Sequence, residues 1–580
     1  MILASHYPRP ATGSRGLHYR TNDPNPRMTQ SLEQIRPLLR LRALRLGALA
    51  ALFVVIGEMA LRLKYFVLDS DIWWHLKVGD WIVDHVAVPH TGILSRTAGA
   101  RPWIAYSWGY EVLLSRAYAW FGLIGIGVFG TILTLGVACA IYWMLLRLSG
   151  QFWTAWILTW IVCWSFLFNG TPRPFFFSIA FFAVTLTLLL EANRTGEVKK
   201  LYWLPLMFFI WANLHIQFIY GLFLVGLFAG VCVARTLLSA LPRVAPESVG
   251  RKLQAALALL GGQECPPYTG RLILIFAACV LATLLGPYSY HPYVVVFEYS
   301  KAKFTYSVIV ELQPLSFRGY SHFLELFIAA AGFFAVGWQA RLRNSFSGDS
   351  KNGIVATGLA ESPTLDLFKL SLLIIGTVVA FRTMRDAWFI CLPAAACIAD
   401  AFRAGAEEST QKPVVDAVPA RDLWLERLGI AAAVTVCLVL IASAVDFNER
   451  GLDRAISADY PVNAINFLRR NPVPGPLYNN LNWGGFLMWY MPDYPVAIDG
   501  RNDLYGDELD MIFYNSESAQ DSYKTDPYLD TCGVVLLDST LPLAKVLTID
   551  PRFELVYHDD IATVFARRQN MLGAGAPTAP

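Results

Sequence analysis

The chain has 580 residues, of which 55% are hydrophobic, 14% aromatic and 16% charged, against roughly 25% charged for an ordinary soluble domain. A formal net charge of +3 and the lack of a basic aromatic patch exclude nucleic acid as a partner. The apolar residues are gathered into runs of about 17–25, the length that crosses a hydrocarbon core, so the composition predicts a polytopic α-helical membrane protein.

Residues 1–45 carry eight arginines against two acids and show no apolar periodicity. They read as a disordered basic arm that the positive-inside rule keeps in the cytoplasm. The apolar run that follows comes late and lacks a small-residue cleavage site, which argues for an uncleaved anchor at 46–63 and against a signal peptide. Further spans are expected at 118–146, 152–169, 174–192, 201–214, 216–236, 271–286, 321–339, 366–381, 387–402 and 428–446, about 11 transmembrane helices in all. Arg147, Arg194 with Lys199 and Lys200, Arg235, Arg341 and Arg403 fall in alternate loops, as that rule requires. The membrane domain is therefore 46–446 with a large first outer loop at 64–117, and 447–580 lies outside. The inner loops 240–268 and 340–364 read as Ser/Gly/Pro-rich linkers. Most of the nine cysteines fall inside apolar runs, where they act as small hydrophobes.

The last segment changes character. Helices are expected at 461–470, 484–490, 508–515 and 541–547, strands at 475–478, 496–499 and 533–538, and a closing hairpin at 553–566. Alternation of this kind predicts a small extracytoplasmic α/β domain with a mainly parallel sheet.

The chemistry concentrates in residues 69–111, which hold five carboxylates, three histidines and five tryptophans. Asp69 and Asp71 form a D-x-D pair that on an extended segment points to one side, fit to hold a divalent cation such as Mg or Mn. One of them could instead serve as general base for an acceptor hydroxyl. His75 stands four residues after Asp71 and would meet it on one helix face, as a third ligand. Trp74 and its neighbours read either as an aromatic belt or as a platform on an interfacial helix at 72–86, on which a sugar ring stacks. Glu111 is a ligand, a base or an acid favoured by its helix N-terminus. Arg173, Arg382 and Arg385 sit at outer span ends, where guanidinium forks match phosphate. Asn213 and His215 lie between two spans with almost no loop, a polar placement that suits a cavity lining. His291 and Glu311, in the long outer loop 286–321, are further candidates.

The run D-x-D-x-W-W-H-L-x-x-G-D-W-I (69–82), with P-H-T-G-I-L-S-R-T and P-W-I-A-Y-S-W-G-Y-E after it, resembles the first outer loop of multi-spanning bacterial proteins similar to GT-C glycosyltransferases. Arg173-Pro174, Asn213-Leu-His215, Gly286-Pro287 and Arg382 with Arg385 extend the resemblance over most of the chain. It implies a GT-C-like fold in the bacterial inner (plasma) membrane and transfer of a sugar from a polyprenyl-phosphate-linked donor. The acceptor is left open among glycan, lipid and protein. Asp69 or Asp71 would take the acidic role, and arginines such as Arg385 would bind the carrier's phosphate. The segment 482–501 is faintly similar to the acceptor-binding region of oligosaccharyltransferases but lacks their W-W-D triplet. Two other classes also fit the sequence: a transporter or flippase with Asn213 and His215 on its substrate path, and a non-catalytic envelope-assembly protein acting through its C-terminal domain.

Overall fold

The computed structural model describes residues 26–62, 65–167, 171–240, 268–349, 365–410 and 448–568, with 431, 434, 435 and 438. The chain divides into Met1–Leu49 and Ala50–Pro580. In the first unit the residues from Pro26 onward are helical, within a helix running to Arg62. This corrects the disordered arm for 26–45, whose Leu, Arg, Gln, Glu and Ala are strong helix formers. Residues 1–25 of that arm lie outside the described residues, as do most of the inner loops and all but four positions of the span at 428–446.

The protein is mostly helical (73%) with a small mixed sheet. Among the described residues six helices are long and apolar enough to cross a membrane: Leu44–Leu68, Trp108–Ser149, Phe175–Thr195, Phe218–Leu237, Tyr320–Leu342 and Met384–Ala406. Helices also form at four more of the expected positions, Phe152–Phe166, Leu204–Leu214, Thr269–Thr283 and Leu367–Arg382, but these have only 11 to 16 residues. At 1.5 Å per residue they reach about 16–24 Å, short of the ~30 Å hydrocarbon core. Tyr320–Asp349, Leu367–Arg382 and Trp388–Thr410 pack through Ile328, Leu373, Ile390 and Ala394. Small side chains on the last of them let the helices approach closely.

The first long loop carries a helix, Ser70–His85, started by Asp69, whose side chain accepts from the Asp71 backbone N–H at 3.0 Å. Its apolar residues Ile72, Trp73, Leu76, Val78 and Ile82 are buried against the protein, where a helix at 72–86 was expected to turn them to lipid. The helix packs between Trp108–Ser149 and Gly484–Tyr490. Gly79 permits the first contact, because a Cβ there would come within 2.0 Å of the Glu111 carbonyl oxygen. Trp73 has no exposed surface and packs edge-on against Phe486 and Tyr490 of the C-terminal domain. Trp74 and Trp103 are also buried, so these three indoles form no aromatic belt.

In the C-terminal domain the strands β1 (Leu477–Asn479), β2 (Val534–Asp538), β3 (Phe553–His558) and β4 (Ala562–Arg567) are ordered β1-β2-β4-β3. Only β1 and β2 are parallel, and β4 pairs antiparallel with both β2 and β3. The sheet is therefore mixed and not mainly parallel. The β3–β4 hairpin sets this, since a short turn can join only antiparallel strands. The expected strand at 496–499 pairs with no other strand of that domain. Val496 instead bridges to Ser95 of the first long loop.

That bridge belongs to a seam between the two regions. Arg96 N–H donates to the Val496 carbonyl at 2.8 Å, Thr97 Oγ1 to the Ala497 carbonyl at 2.5 Å, and Arg101 Nη1 to the Tyr505 carbonyl at 2.6 Å. The second half of the first loop thus holds the C-terminal domain over the helix ends.

Candidate active site

Between the ends of the apolar helices and the C-terminal domain lies a cavity of about 440 Å³. The Ser70–His85 helix contributes Asp71, Trp74 and His75, and the helix starts contribute Arg173, His215 and Arg385. The long loop contributes Tyr299 and Glu311, and the C-terminal domain Asp503, Asp510 and Glu517.

Arg173 grips both carboxylates of the D-x-D pair. Its Nε and Nη2 each lie 2.7 Å from an Asp69 oxygen, and its Nη1 lies 2.8 Å from Asp71 Oδ2. Asp69 is buried, which alone would raise its pKa, but the Arg173 guanidinium outweighs this and holds it below the ordinary value. Asp71 is pushed up to about 6, first by burial and then by the neighbouring charges of Asp69 and Glu311, against the lowering effect of Arg173. A carboxylate tuned in this way is ionised at neutral pH yet basic enough to take a proton.

The remaining Asp71 oxygen accepts from Trp74 Nε1 at 3.1 Å, so all four oxygens of the pair have a donor. The pair fits a guanidinium in the place assigned to Mg or Mn. Among the described residues no group of three or more His, Cys, Asp or Glu is arranged to hold a metal ion. His75 does not join Asp71 either. Its Nδ1 lies 3.2 Å from Glu111 Oε1, and burial followed by the charges of Arg173, Arg385 and Arg501 keeps the imidazole well below its usual pKa, hence neutral.

Glu111 is 1% exposed, and it lies behind His75 and outside the cavity lining. It orients the imidazole and is not placed to meet a substrate. His215 lines the cavity and is held through Nδ1 by Ser178 Oγ at 2.9 Å, which in turn receives Trp211 Nε1 at 2.7 Å. Asn213 is not part of the lining. Its Oδ1 accepts from Trp108 Nε1 and its Nδ2 donates to the Phe209 carbonyl, so it ties helix ends together. Arg382 is exposed and outside the lining, with its guanidinium 6.0 Å from the Tyr306 ring centre.

Arg385 is the arginine with spare capacity. The adjacent Asp386 turns away to Gln217, Tyr220 and Thr383. Arg385 Nη1 is left 3.6 Å from Glu311, and its buried Nε has no hydrogen-bond partner among the described residues. Glu311 also lies 3.5 Å from Arg173 Nη1, so one half-exposed carboxylate stands between two guanidinium groups. Replacing it with glutamine should free both cations. The expected result for Glu311→Gln is a KM for an anionic substrate lowered by up to about fivefold, the worth of a partly solvated ion pair. Losing the charge that raises the Asp71 pKa should also move the acid limb of the rate profile to lower pH. Steady-state kinetics across pH checks both effects.

Sequence reasoning missed Asp503, Asp510 and Glu517. The spacing of Asp510 and Glu517, seven residues on one helix face, was the available signal; Asp503 stands before a kink at Gly506 and gave none. Sequence reasoning also missed the approach of Gly500, where a Cβ would come within 2.0 Å of Asp71 Oδ1. Gly500→Ala should displace that carboxylate and lower turnover by on the order of a hundredfold, as a misplacement of about 1 Å does, with the melting profile little changed. Turnover and thermal unfolding measured on the same preparation check this. Neither family models nor curated proteins yield a match to this chain.

Proposed function

We propose that this protein is a membrane-embedded, GT-C-like glycosyltransferase that moves a sugar from a polyprenyl-phosphate-linked donor to an acceptor on the outer face of the bacterial inner membrane. The observation that carries this reading is the cavity in which Asp71, with its pKa near neutrality, shares a wall with Arg173 and the under-used Arg385. A lipid-linked donor needs a cation for its phosphate at the membrane boundary and a base for the incoming hydroxyl. This wall offers both at the starts of apolar helices.

The mechanism follows from these roles. Asp71 takes the proton of an acceptor hydroxyl as that oxygen bonds to the anomeric carbon. The bond from that carbon to the carrier's phosphate oxygen breaks, and polyprenyl phosphate leaves with the electron pair. Arg385, released from Glu311, stabilises the charge that develops on the leaving phosphate. Arg173 is fixed by Asp69 and keeps Asp71 in position. Trp74, beside Asp71, offers an indole edge to the sugar. None of these steps requires a metal.

The orientation is supported by charge. Arg147 and Lys200 pair with Glu191, and Arg194 pairs with Asp400. Arg173 precedes the helix Phe175–Thr195, whereas Arg194 stands in its last turn. Basic residues favour the cytoplasmic side, which leaves the cavity and the C-terminal domain outside. Eleven spans would follow if the shorter helices tilt or pair within the bundle and the segment 428–446 crosses.

The test is release of polyprenyl phosphate from a panel of lipid-linked sugars by the protein in nanodiscs, comparing wild type with Arg385→Ala. Turnover that falls by about a hundredfold in the variant, as loss of one transition-state donor does, supports the reading. If no donor is turned over while the same lipids cross the bilayer, the protein is a transporter.

A further inference from the structure

The C-terminal domain adds a second kind of surface to the same cavity. The segment Asn502–Glu517, helical on either side of a kink at Gly506, places Asp503 before the kink and Asp510 and Glu517 after it along the lining. Asp503 accepts from Trp103 Nε1 at 3.0 Å and Glu517 from the Leu481 backbone N–H at 2.9 Å, whereas Asp510 Oδ2 has only a 3.4 Å contact with Thr305 Oγ1, whose single hydrogen goes to Asp507 Oδ1 at 2.8 Å. Asp510 is 4% exposed, yet its Oδ1 has no hydrogen-bond partner among the described residues. Among the described residues none of the three forms an ion pair, whereas Arg173 and Arg385 in the same cavity already face Asp69, Asp71 and Glu311.

Carboxylates removed from water without an ion-pair partner are costly, and here desolvation raises Asp510, which is buried, and Glu517, which is half-buried, to about 7, and Asp503 to about 6 against the lowering charge of Arg501. An occupant bearing a cation would relieve that cost. Tyr514, exposed beside the acids on the same helix, adds an aromatic face of the kind that attracts an ammonium group.

We propose that this wall is the acceptor subsite and that it recognises a primary ammonium group on the acceptor. The occupant is an amino-bearing sugar or an amino-bearing lipid headgroup. The word acceptor rests on the transferase reading, but the ammonium site itself does not require it. The arrangement separates the two substrates by charge, with the donor's phosphate going to Arg385 and the acceptor's ammonium to Asp510 and Glu517. Such a division would keep either substrate from occupying the other's place.

The experiment uses the full chain in phosphatidylglycerol nanodiscs at pH 7.5, with no donor present, and follows tryptophan fluorescence on titration with glucosamine or glucose. Glucosamine should bind about tenfold tighter than glucose, the worth of one charge-assisted hydrogen bond. Asp510→Asn and Glu517→Gln should each remove most of that preference. Glu517 is the more exposed of the two, so its variant carries the test if Asp510→Asn does not fold.

Replacing half of the lipid with phosphatidylethanolamine separates the sources. Competition with glucosamine identifies a lipid headgroup, and unchanged affinity identifies a soluble or glycan amine. Equal binding of glucosamine and glucose, or a preference that survives in both variants, overturns the proposal. Because no donor is present, that result stands apart from a failed release assay, which would strike the transferase reading alone.

Discussion

Asp71→Asn should lower kcat by about a hundredfold to ten-thousandfold, the range that a positioned general base supplies, while leaving donor binding close to wild type. The substitution keeps the size of the side chain and its acceptor for Trp74 Nε1 but removes the atom that takes the proton. The wild-type pH profile carries the same claim. The base works only when ionised, and burial sets its pKa at about 6. Turnover should therefore be flat near pH 7 and fall tenfold per unit below about pH 6. In Asp71→Asn that limb should vanish. A variant that retains both turnover and limb would assign the proton to another group, and His75 would be the first to examine.

Arg501→Ala should be the most destabilising single change in the C-terminal domain, costing about 3–5 kcal/mol. Arg501 and Asp499 both have fully buried side chains, joined by Nε–Oδ1 and Nη2–Oδ2 contacts of 2.8 Å. Tyr505 donates to the same Asp499 carboxylate at 2.5 Å. The Arg501 guanidinium also donates to the Ile93 carbonyl at 3.0 Å and lies 4.7 Å from the Trp103 ring centre. Truncating the arginine leaves Asp499 charged in a dry site and loosens the first loop as well. The double variant Asp499→Leu with Arg501→Met should recover much of the loss, because the penalty lies in the orphaned charge more than in the missing attraction. Thermal unfolding of wild type and the two variants in one detergent measures this. Equal melting of wild type and Arg501→Ala would show that the pair does not hold the domain in place.

Much of the architecture could be read in the sequence because it depends on local composition. Apolar runs bounded by Gly196, Arg173-Pro174 or Asp69 mark helix limits within a few residues, and the 553–566 hairpin follows from its alternation. Long-range pairing could not be read this way. Asp71 and His75 share a helix face by spacing, but Arg173, about a hundred residues on, claims the aspartate and leaves the histidine to Glu111. The segment 496–499 looks like a buried strand and is buried, but its partner is the first long loop, some 400 residues earlier. Periodicity reports that a residue is buried and leaves open what buries it. Arg382 and Arg385 look equivalent in the sequence, three residues apart. A short 3₁₀ turn, Met384–Asp386, carries only Arg385 into the cavity.

The account is tested most directly by determining the structure of the protein in nanodiscs with polyprenyl phosphate bound. It predicts the phosphate within hydrogen-bonding distance of Arg385, the Glu311 carboxylate displaced from between the two arginines, and Asp71 facing the open side of the phosphate. A lipid phosphate bound elsewhere, with Glu311 still between Arg173 and Arg385, would contradict it.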